Sequence, residues 1–385
     1  MKVNKNHKKI YQLNCPSLRF YLLFLTLFLT IQCFTEVPVE PKFGAITPSE
    51  FAMKNYDKDT SANALVLFDY GDAKIILTSE RQFKIQFKQH LRIKIFKNTD
   101  PSIGKFKIKL FKAGLLNQVI NEFKATTFNM EDGHLEKSKV INEQTHTNTQ
   151  FDYDLKSYSF PDIRDGSIIE LSYTMNSDLL FHFKGWDFEG KYPVVWSQYH
   201  YVIPEYFDFR RHAIGFLPFE INSTVTGSTL FTVHFASENP AGLDRARTSN
   251  QDYDIRAANS EYVLAMKDIP AFHAEPDIDC EENYMQSISF ELVSMSLPGE
   301  FVNDFSTTWA ELNSHLIKDT YFGGPLKDSK IIQNKVNELC LNHRGNEEKA
   351  LAIYNYVQVK IDWKHDYQQF LEEDLQSIIV KGTGS

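Results

Sequence analysis

Cysteine is the most reactive residue type in this sequence, and four occur: Cys15, Cys33, Cys280 and Cys340. No two have CxxC spacing, which argues against a structural zinc site. Cys340 shares a helical stripe with Ile332, Val336 and Leu339, the setting of a buried structural thiol. Cys280 lies in Asp277-Ile278-Asp279-Cys280-Glu281-Glu282, where neighbouring carboxylates raise a thiol pKa and oppose activation. With His273 and Glu275 the same run offers oxygens to a hard cation, although a solvated inter-domain loop is the plainer reading. His134, His146, His182, His200, His212 and His234 are scattered singly, without HxH or HExxH spacing, and read as surface or sheet histidines. Gly382 and Gly384 do not follow an apolar strand and lack a partner lysine, which argues against a phosphate-binding loop. Trp186, Tyr192 and Trp196 could stack on a sugar or grip an extended peptide, with core packing as the default. No catalytic residue, metal ligand or cofactor is therefore expected within the chain.

The elements that would position such groups are of two kinds. Strands dominate the first part. Phe83, Ile85, Phe87, Leu91, Ile93 and Ile95 fall on one face, and Lys84, Gln86, Lys88, His90, Arg92 and Lys94 on the other, a strict period of two. That predicts an antiparallel strand over 81–97 with one wet face. Ala64–Tyr70 predicts a short strand ending in a turn at Tyr70-Gly71-Asp72. Phe106, Ile108 and Leu110 alternate with lysines and predict another strand. Further strands are expected at 123–130, 168–175, 198–202, 229–235 and 262–266, punctuated by glycines, the spacing of a β-sandwich.

From about Phe301 the period becomes helical. Ser306 or Thr307 caps a helix carrying Trp309, Leu312, Leu316 and Ile317, and Gly323-Gly324-Pro325 breaks it. Asp328 or Ser329 caps a second. Asn346 caps a third, with Glu347 and Glu348 in its first turn, where the dipole favours them. Ala350, Ile353, Tyr354, Val357 and Ile361 make its apolar stripe, and Trp363 closes it. Leu371, Leu375, Ile378 and Ile379 form one more stripe. The fold class expected is mainly β: a large antiparallel β-sandwich body followed by a short α-helical segment.

At 385 residues and 42% hydrophobic the chain can bury a sizeable core, and 31 Phe with 18 Tyr suit pleated, half-buried surfaces. A net charge of −9 argues against nucleic acid as partner, so the basic–aromatic alternation of the strands is solubility chemistry. Lys2, Lys5, Lys8, Lys9 and Arg19 precede an apolar run from Phe20 to Ile31, too short to span a bilayer and fitting a signal peptide over 1–34. Export to the periplasm or envelope follows, with no transmembrane helix after signal removal. Leu29-Thr30-Ile31-Gln32-Cys33 resembles a lipoprotein box apart from Gln32, which makes Cys33 a candidate lipid anchor.

Several dispersed patches together resemble one family, the exported bacterial proteins that join a DUF3857 domain to a transglutaminase-like domain. The entry patch is Phe43-Gly44, Tyr56, Asp59, Ala62-Asn63-Ala64 and Val66-Leu67, and Arg92-Ile93-Lys94-Ile95 is the central strand. Phe160-Pro161-Asp162, Gly166-Ser167-Ile168-Ile169-Glu170 and Tyr173 come next, then Trp186, Phe188, Pro193, Ser197 and Ile203-Pro204-Glu205. Ile269-Pro270-Ala271 and Glu275-Pro276 match the exit strand. Trp309, Glu348-Lys349-Ala350, Ile353-Tyr354, Val357 and Trp363 match the leading transglutaminase-like helices. The likeness is greatest to members from Bacteroidetes. It implies a papain-like core in which a Cys opens a helix and a His and an Asp lie downstream. Gly382-Thr383-Gly384 fits the turn into that helix, placing Ser385 at or just short of the nucleophile, so the chain as it stands is not expected to hold the triad.

The domain organisation expected is a signal peptide over 1–34, a linker and entry segment over 35–60, a DUF3857-like β-sandwich body over 61–300 and an incomplete transglutaminase-like helical start over 301–385. Two functions fit. The chain is the non-catalytic accessory part of an exported transglutaminase-like protein, positioning an envelope peptide or polymer. Alternatively it is a stand-alone binding or structural module for a protein or glycan, with a vestigial helical tail.

Overall fold

The computed structural model describes residues 39–384 apart from 142–144, 150–152, 238–248, 298–300, 306–307, 321, 327–328 and 365–373. The expected signal peptide, Cys15, Cys33, Gly242, Leu371 and Ser385 lie outside the described residues, as do the proposed caps Ser306, Thr307 and Asp328. The side chains of His146 and His234 are likewise undescribed. The described residues up to Thr47 belong to one unit and those from Pro48 onward to the other.

The second unit opens with a short helix, α1 (Pro48–Ala52). Its first strands are β1 (Ala64–Leu77), β2 (Phe83–Ile95), β3 (Lys105–Ala113), β4 (Leu116–Glu131), β5 (His134–Lys139), β6 (Thr145–Thr149), β7 (Tyr153–Ser159) and β8 (Ile168–Ser177). Then come β9 (Trp186–Asp187), β10 (Val194–Pro204), β11 (Phe207–Ile214), β12 (Ile221–Ser237), β13 (Ser249–Ile269), β14 (Ser287–Met295) and β15 (Asn303–Asp304). The C-terminal elements are α2 (Trp309–Lys318), α3 (Lys330–Cys340), α4 (Asn346–Lys360), β16 (Asp362–Trp363), α5 (Leu375–Lys381) and β17 (Thr383–Gly384).

The protein is mainly β. An 11-stranded sheet runs β12-β13-β10-β1-β2-β8-β4-β3-β7-β6, with β5 beside β4, and β1 and β10 are its parallel pair. A four-stranded sheet of β11, β14, β15 and β9 covers part of its inner face. The joint between them is aromatic: Phe83 meets Phe207 edge-on with ring centroids 5.4 Å apart, and Phe290 meets Tyr201 at 5.0 Å. Aromatic pairs at such distances add to area burial, so the inward period of β2 and β10 is what holds the two layers.

Two expectations for the sheet need correction. The turn at residues 70–72 is absent, and β1 runs through it to Leu77. Gly71 is there because a ring pair lies on the strand. A Cβ at this position would stand 2.4 Å from Trp186 Cζ3 and 2.7 Å from Tyr199 Cδ2. A glycine inside a strand marks such an approach as readily as it marks a turn. The second correction concerns the wet face of β2. Lys84, Gln86 and Lys88 are half-buried, but His90, Arg92 and Lys94 are buried, the last two at 1% and 0% exposure.

The helices begin close to where side-chain capping predicts. Thr308 caps α2 in a reciprocal box with Glu311, and Ser329 caps α3. Gly345, not Asn346, is the N-cap of α4, so Asn346 is already its first helical residue. None of α2, α3 and α4 fully buries a residue. Instead Ile332, Val336, Ile353, Val357, Trp363 and Ile378 line an open apolar cavity of about 370 Å³. Gly382 ends α5 in the left-handed region at φ 71°, and β17 pairs in parallel with β16. Among the described residues no helix is long and apolar enough to cross a membrane.

Candidate binding cleft

On the inner face of the large sheet a cleft of about 710 Å³ opens between β1, β2, β3 and β8 and the crossing segment 181–192. Trp186, from the two-residue strand β9, forms its back wall. It stacks on Tyr199 at 5.1 Å with planes 4° apart, and its Nε1 donates to Ser197 Oγ at 3.0 Å. Tyr199 in turn donates to the carbonyl of Lys184 at 2.5 Å, which ties the crossing segment to β10. At the lip, Lys191 pairs with Asp100 at 2.5 Å and Tyr192 donates to the same carboxylate at 2.7 Å. These two donors hold the Asp100 carboxyl well below the usual range.

The floor carries the chemistry. Asp69 lines the cleft from β1, opposite Leu91 of β2. Its hydrogen-bond donor is the neutral amide of Gln89, whose Nε2 reaches both carboxylate oxygens at 2.9 and 3.0 Å. Tyr173 donates to Gln89 Oε1 at 3.2 Å, which fixes the amide with its nitrogen toward Asp69. Burial pushes the Asp69 carboxyl up to about 7, with the Asp187 charge adding to the rise. A single neutral amide does not repay the lost hydration of a carboxylate.

Lys184 and Asp187 stand on either side of Trp186, Lys184 in the short stretch that leads into β9 and Asp187 within that strand. Both side chains are reached by solvent, yet Lys184 is crowded by protein on its other sides, and that desolvation lowers its pKa. Neither forms an ion pair among the described residues, although Asp187 lies close enough to act on both Lys184 and Asp69. The Lys184 ammonium sits 5.9 Å from the Phe87 ring centroid. His182, also in the cleft, packs on Phe111 at 4.4 Å, and burial lowers its pKa. A half-buried carboxyl poised near neutrality, an exposed carboxylate and an exposed ammonium of lowered pKa in one aromatic cleft are groups that bind or exchange protons with a ligand.

A second charged constellation lies on the opposite face of the sheet. Glu170 Oε1 takes hydrogen bonds from His90 Nε2 and Arg92 Nη2, both at 2.8 Å. Arg92 Nη1 donates to Glu50 of α1 at 2.7 Å. Lys94 donates to the carbonyls of Phe51 and Gly166 at 3.1 and 2.7 Å, and burial pushes its pKa down to about 8. These contacts fasten α1 across β2 and β8, a structural clamp built from residues that alternate like a solvated face.

The other singled-out residues do not converge. Cys280 is half-buried, and its thiol donates to Glu282 Oε2 at 3.0 Å, which raises its pKa. Cys340 ends α3, free and half-buried rather than buried. His273, Glu275, Asp277 and Asp279 are exposed, and no metal-binding group of His, Cys, Asp and Glu occurs among the described residues. His134 is exposed, His212 pairs with Glu291 at 3.2 Å, and His200 is held between Asp72 and Glu261 at 2.5 and 3.0 Å. Of the aromatics, Trp186 is buried and Tyr192 and Trp196 are half-buried. Asp69, Lys184 and Asp187 escaped sequence reasoning. The available signal was an Asp inside an apolar strand, where that residue type is depleted.

No family model matches the chain, and no curated protein matches it. Among solved structures, a putative protease from Parabacteroides distasonis superposes with a TM-score of 0.51 at 11% identity, over 84% of this chain and 56% of that one. The chain thus spans little more than half of that protein's length, and the likeness is one of fold. A putative nutrient binding protein from Legionella pneumophila gives a TM-score of 0.23 at 8% identity over 84% of this chain and 95% of its own. An M1 zinc metallopeptidase from Deinococcus radiodurans gives 0.21 at 8% identity over 53% and 42%.

Proposed function

We propose that the chain is the non-catalytic accessory part of an exported transglutaminase-like protein of the DUF3857 type, and that its cleft holds an envelope peptide or polymer for chemistry done elsewhere in the whole protein. The cleft carries this reading. It combines aromatic walls, a lip fixed by Lys191 and Tyr192 on Asp100, and a floor whose charged groups are incompletely paired. Two further observations support it. The bacterial structure of similar fold is described as a putative protease, and this chain spans 56% of its length. The helical C-terminal elements leave an apolar cavity open, as a platform for further structure would.

The purified protein, titrated with soluble peptidoglycan fragments and with short peptides, is expected to bind members of one class with a change in tryptophan fluorescence. Ser289→Trp, which fills the cleft from an exposed position on β14, is expected to abolish binding while leaving the fold intact. Binding that survives Ser289→Trp, or no binding of either class at millimolar concentration, overturns the proposal.

A further inference from the structure

If the cleft positions a peptide or polymer, as proposed above, its floor decides which chemical group it selects. Asp69 and Asp187 both line it, and neither forms an ion pair among the described residues, although Lys184 lies close enough to act on Asp187 and His90 on Asp69. Phe87 and Trp186 line the same cleft with their ring centroids 6.2 Å apart, and aromatic walls near carboxylates favour cations. The basic residues across the cleft are largely committed: Lys109 lies over the rings of Phe111 and Tyr153 at 4.7 and 3.9 Å, and Lys191 is paired with Asp100. Lys184 presents its ammonium near the floor, against Phe87 and within reach of Asp187. It therefore already meets one of the two carboxylates that an incoming cation would meet.

We propose that Asp69 and Asp187, with the aromatic wall of Phe87 and Trp186, form a subsite for the primary ammonium group of the ligand, and that Lys184 is a tethered competitor for it. An arriving ammonium ionises Asp69 and displaces its proton to solvent. The titratable groups that act on Asp69 are Tyr173 on β8, Asp187 on β9 and His90 on the far face of β2, while Lys107, Lys109, His182, Lys184, Glu189, Lys191 and Tyr192 line the rest of the cleft. Of these the Asp69 carboxyl, at about 7, titrates where affinity is most easily measured.

The test is calorimetric titration of the whole chain with N-acetyl-Gly-Lys-Gly-amide, its Nε-acetylated form and n-butylammonium. The lysyl peptide is expected to bind at least about tenfold more tightly than the acetylated one, the scale of a charge-assisted contact. Its affinity should rise about tenfold between about pH 6 and pH 8, tracking Asp69 ionisation. Asp69→Asn should flatten that profile, and Asp187→Asn should weaken binding without flattening it. Lys184→Met should tighten binding several-fold, whereas a merely structural Lys184 would leave it unchanged or weaken it. Equal affinity for both peptides overturns the ammonium subsite while leaving the cleft a binding site. Binding of n-butylammonium that depends on Asp69, with no peptide or polymer bound, supports the subsite and overturns the wider function. Tighter binding of anionic probes, or weaker binding in Lys184→Met, overturns the proposal outright.

Discussion

Substituting Gly71 by alanine tests the cleft wall and the strand assignment together. The added methyl would meet Trp186 Cζ3 at 2.4 Å, Trp186 Cε3 at 2.6 Å and Tyr199 Cδ2 at 2.7 Å. Carbon atoms in contact rest about 3.5–4.0 Å apart, so both rings must retreat by roughly an ångström. They have nowhere to go. Trp186 is 3% exposed and Tyr199 0%, they are stacked on each other, and each is tethered by a hydrogen bond, to Ser197 and to the Lys184 carbonyl. Overpacking of this kind costs about 1–3 kcal/mol, and loss of one tether would add about 1 kcal/mol, so Gly71→Ala should destabilise by roughly 3 kcal/mol. Urea unfolding monitored by far-ultraviolet circular dichroism measures it. Trp186→Leu removes the closest atoms, so Gly71→Ala in that background should cost at least about 1 kcal/mol less, a coupling expected only of residues in contact. If Gly71→Ala unfolds within about 0.5 kcal/mol of the parent, β1 does not run beneath this ring pair, and the back wall is not built as described.

Glu170→Gln should destabilise by about 3–5 kcal/mol in the same assay, because it strips the shared carboxylate from buried Arg92 and His90; a change below about 1 kcal/mol would refute the clamp. Asp69→Asn should do the reverse. With its folded pKa raised, Asp69 lowers stability as pH rises from the ordinary carboxylate range toward 7, so the variant's gain in melting temperature should be larger at about pH 8 than at about pH 4.5. Equal gains at both pH values would refute an ionised, desolvated Asp69. Hydrogen exchange across Ala350–Val357 of α4 should be fast, since the helix buries no residue fully; strong protection there would contradict an open C-terminal face.

What the sequence revealed and what it hid divide by the range of the interactions. The helices α2 to α4 were legible because capping and 3.6-residue spacing are local: Ser329 was among the expected caps, while the caps of α2 and α4, Thr308 and Gly345, each lie one residue from an expected one. The inward face of β2 was legible for the same reason, since Ile85, Phe87 and Leu91 alternate whatever covers them. Period two does not say what lies on the other face. Arg92 and Lys94 read as solvated until α1 folds across them from 42 and 43 residues away. Gly71 read as a turn because Tyr-Gly-Asp has turn chemistry, whereas the rings that demand it come from residues 186 and 199. The cleft was hidden most deeply: Asp69, Gln89, Tyr173 and Lys184 come from three strands and a crossing segment, and no spacing connects them.

Two carboxylates of the central sheet show why one face reads as structure and the other as function. Glu170 is fully enclosed but takes hydrogen bonds from a guanidinium and an imidazole, so its charge is matched where it sits and no ligand is needed. Asp69 is on β1, with β2 between it and β8, and on the other face, where it receives a neutral amide. A cation placed beside it would have removed the cost, and the cleft does hold one, Lys184, but it acts on Asp187 and forms no ion pair among the described residues. Leaving a carboxylate and an ammonium in one cleft incompletely matched sacrifices stability that a direct salt bridge would have recovered. Sites that bind charged ligands show that trade-off, because a group already neutralised by its own neighbours has little left to offer a partner. The opposite stability changes expected for Glu170→Gln and Asp69→Asn express this difference. If both variants were destabilised alike, Asp69 would be one more structural carboxylate, and the cleft would lose its strongest claim to a ligand.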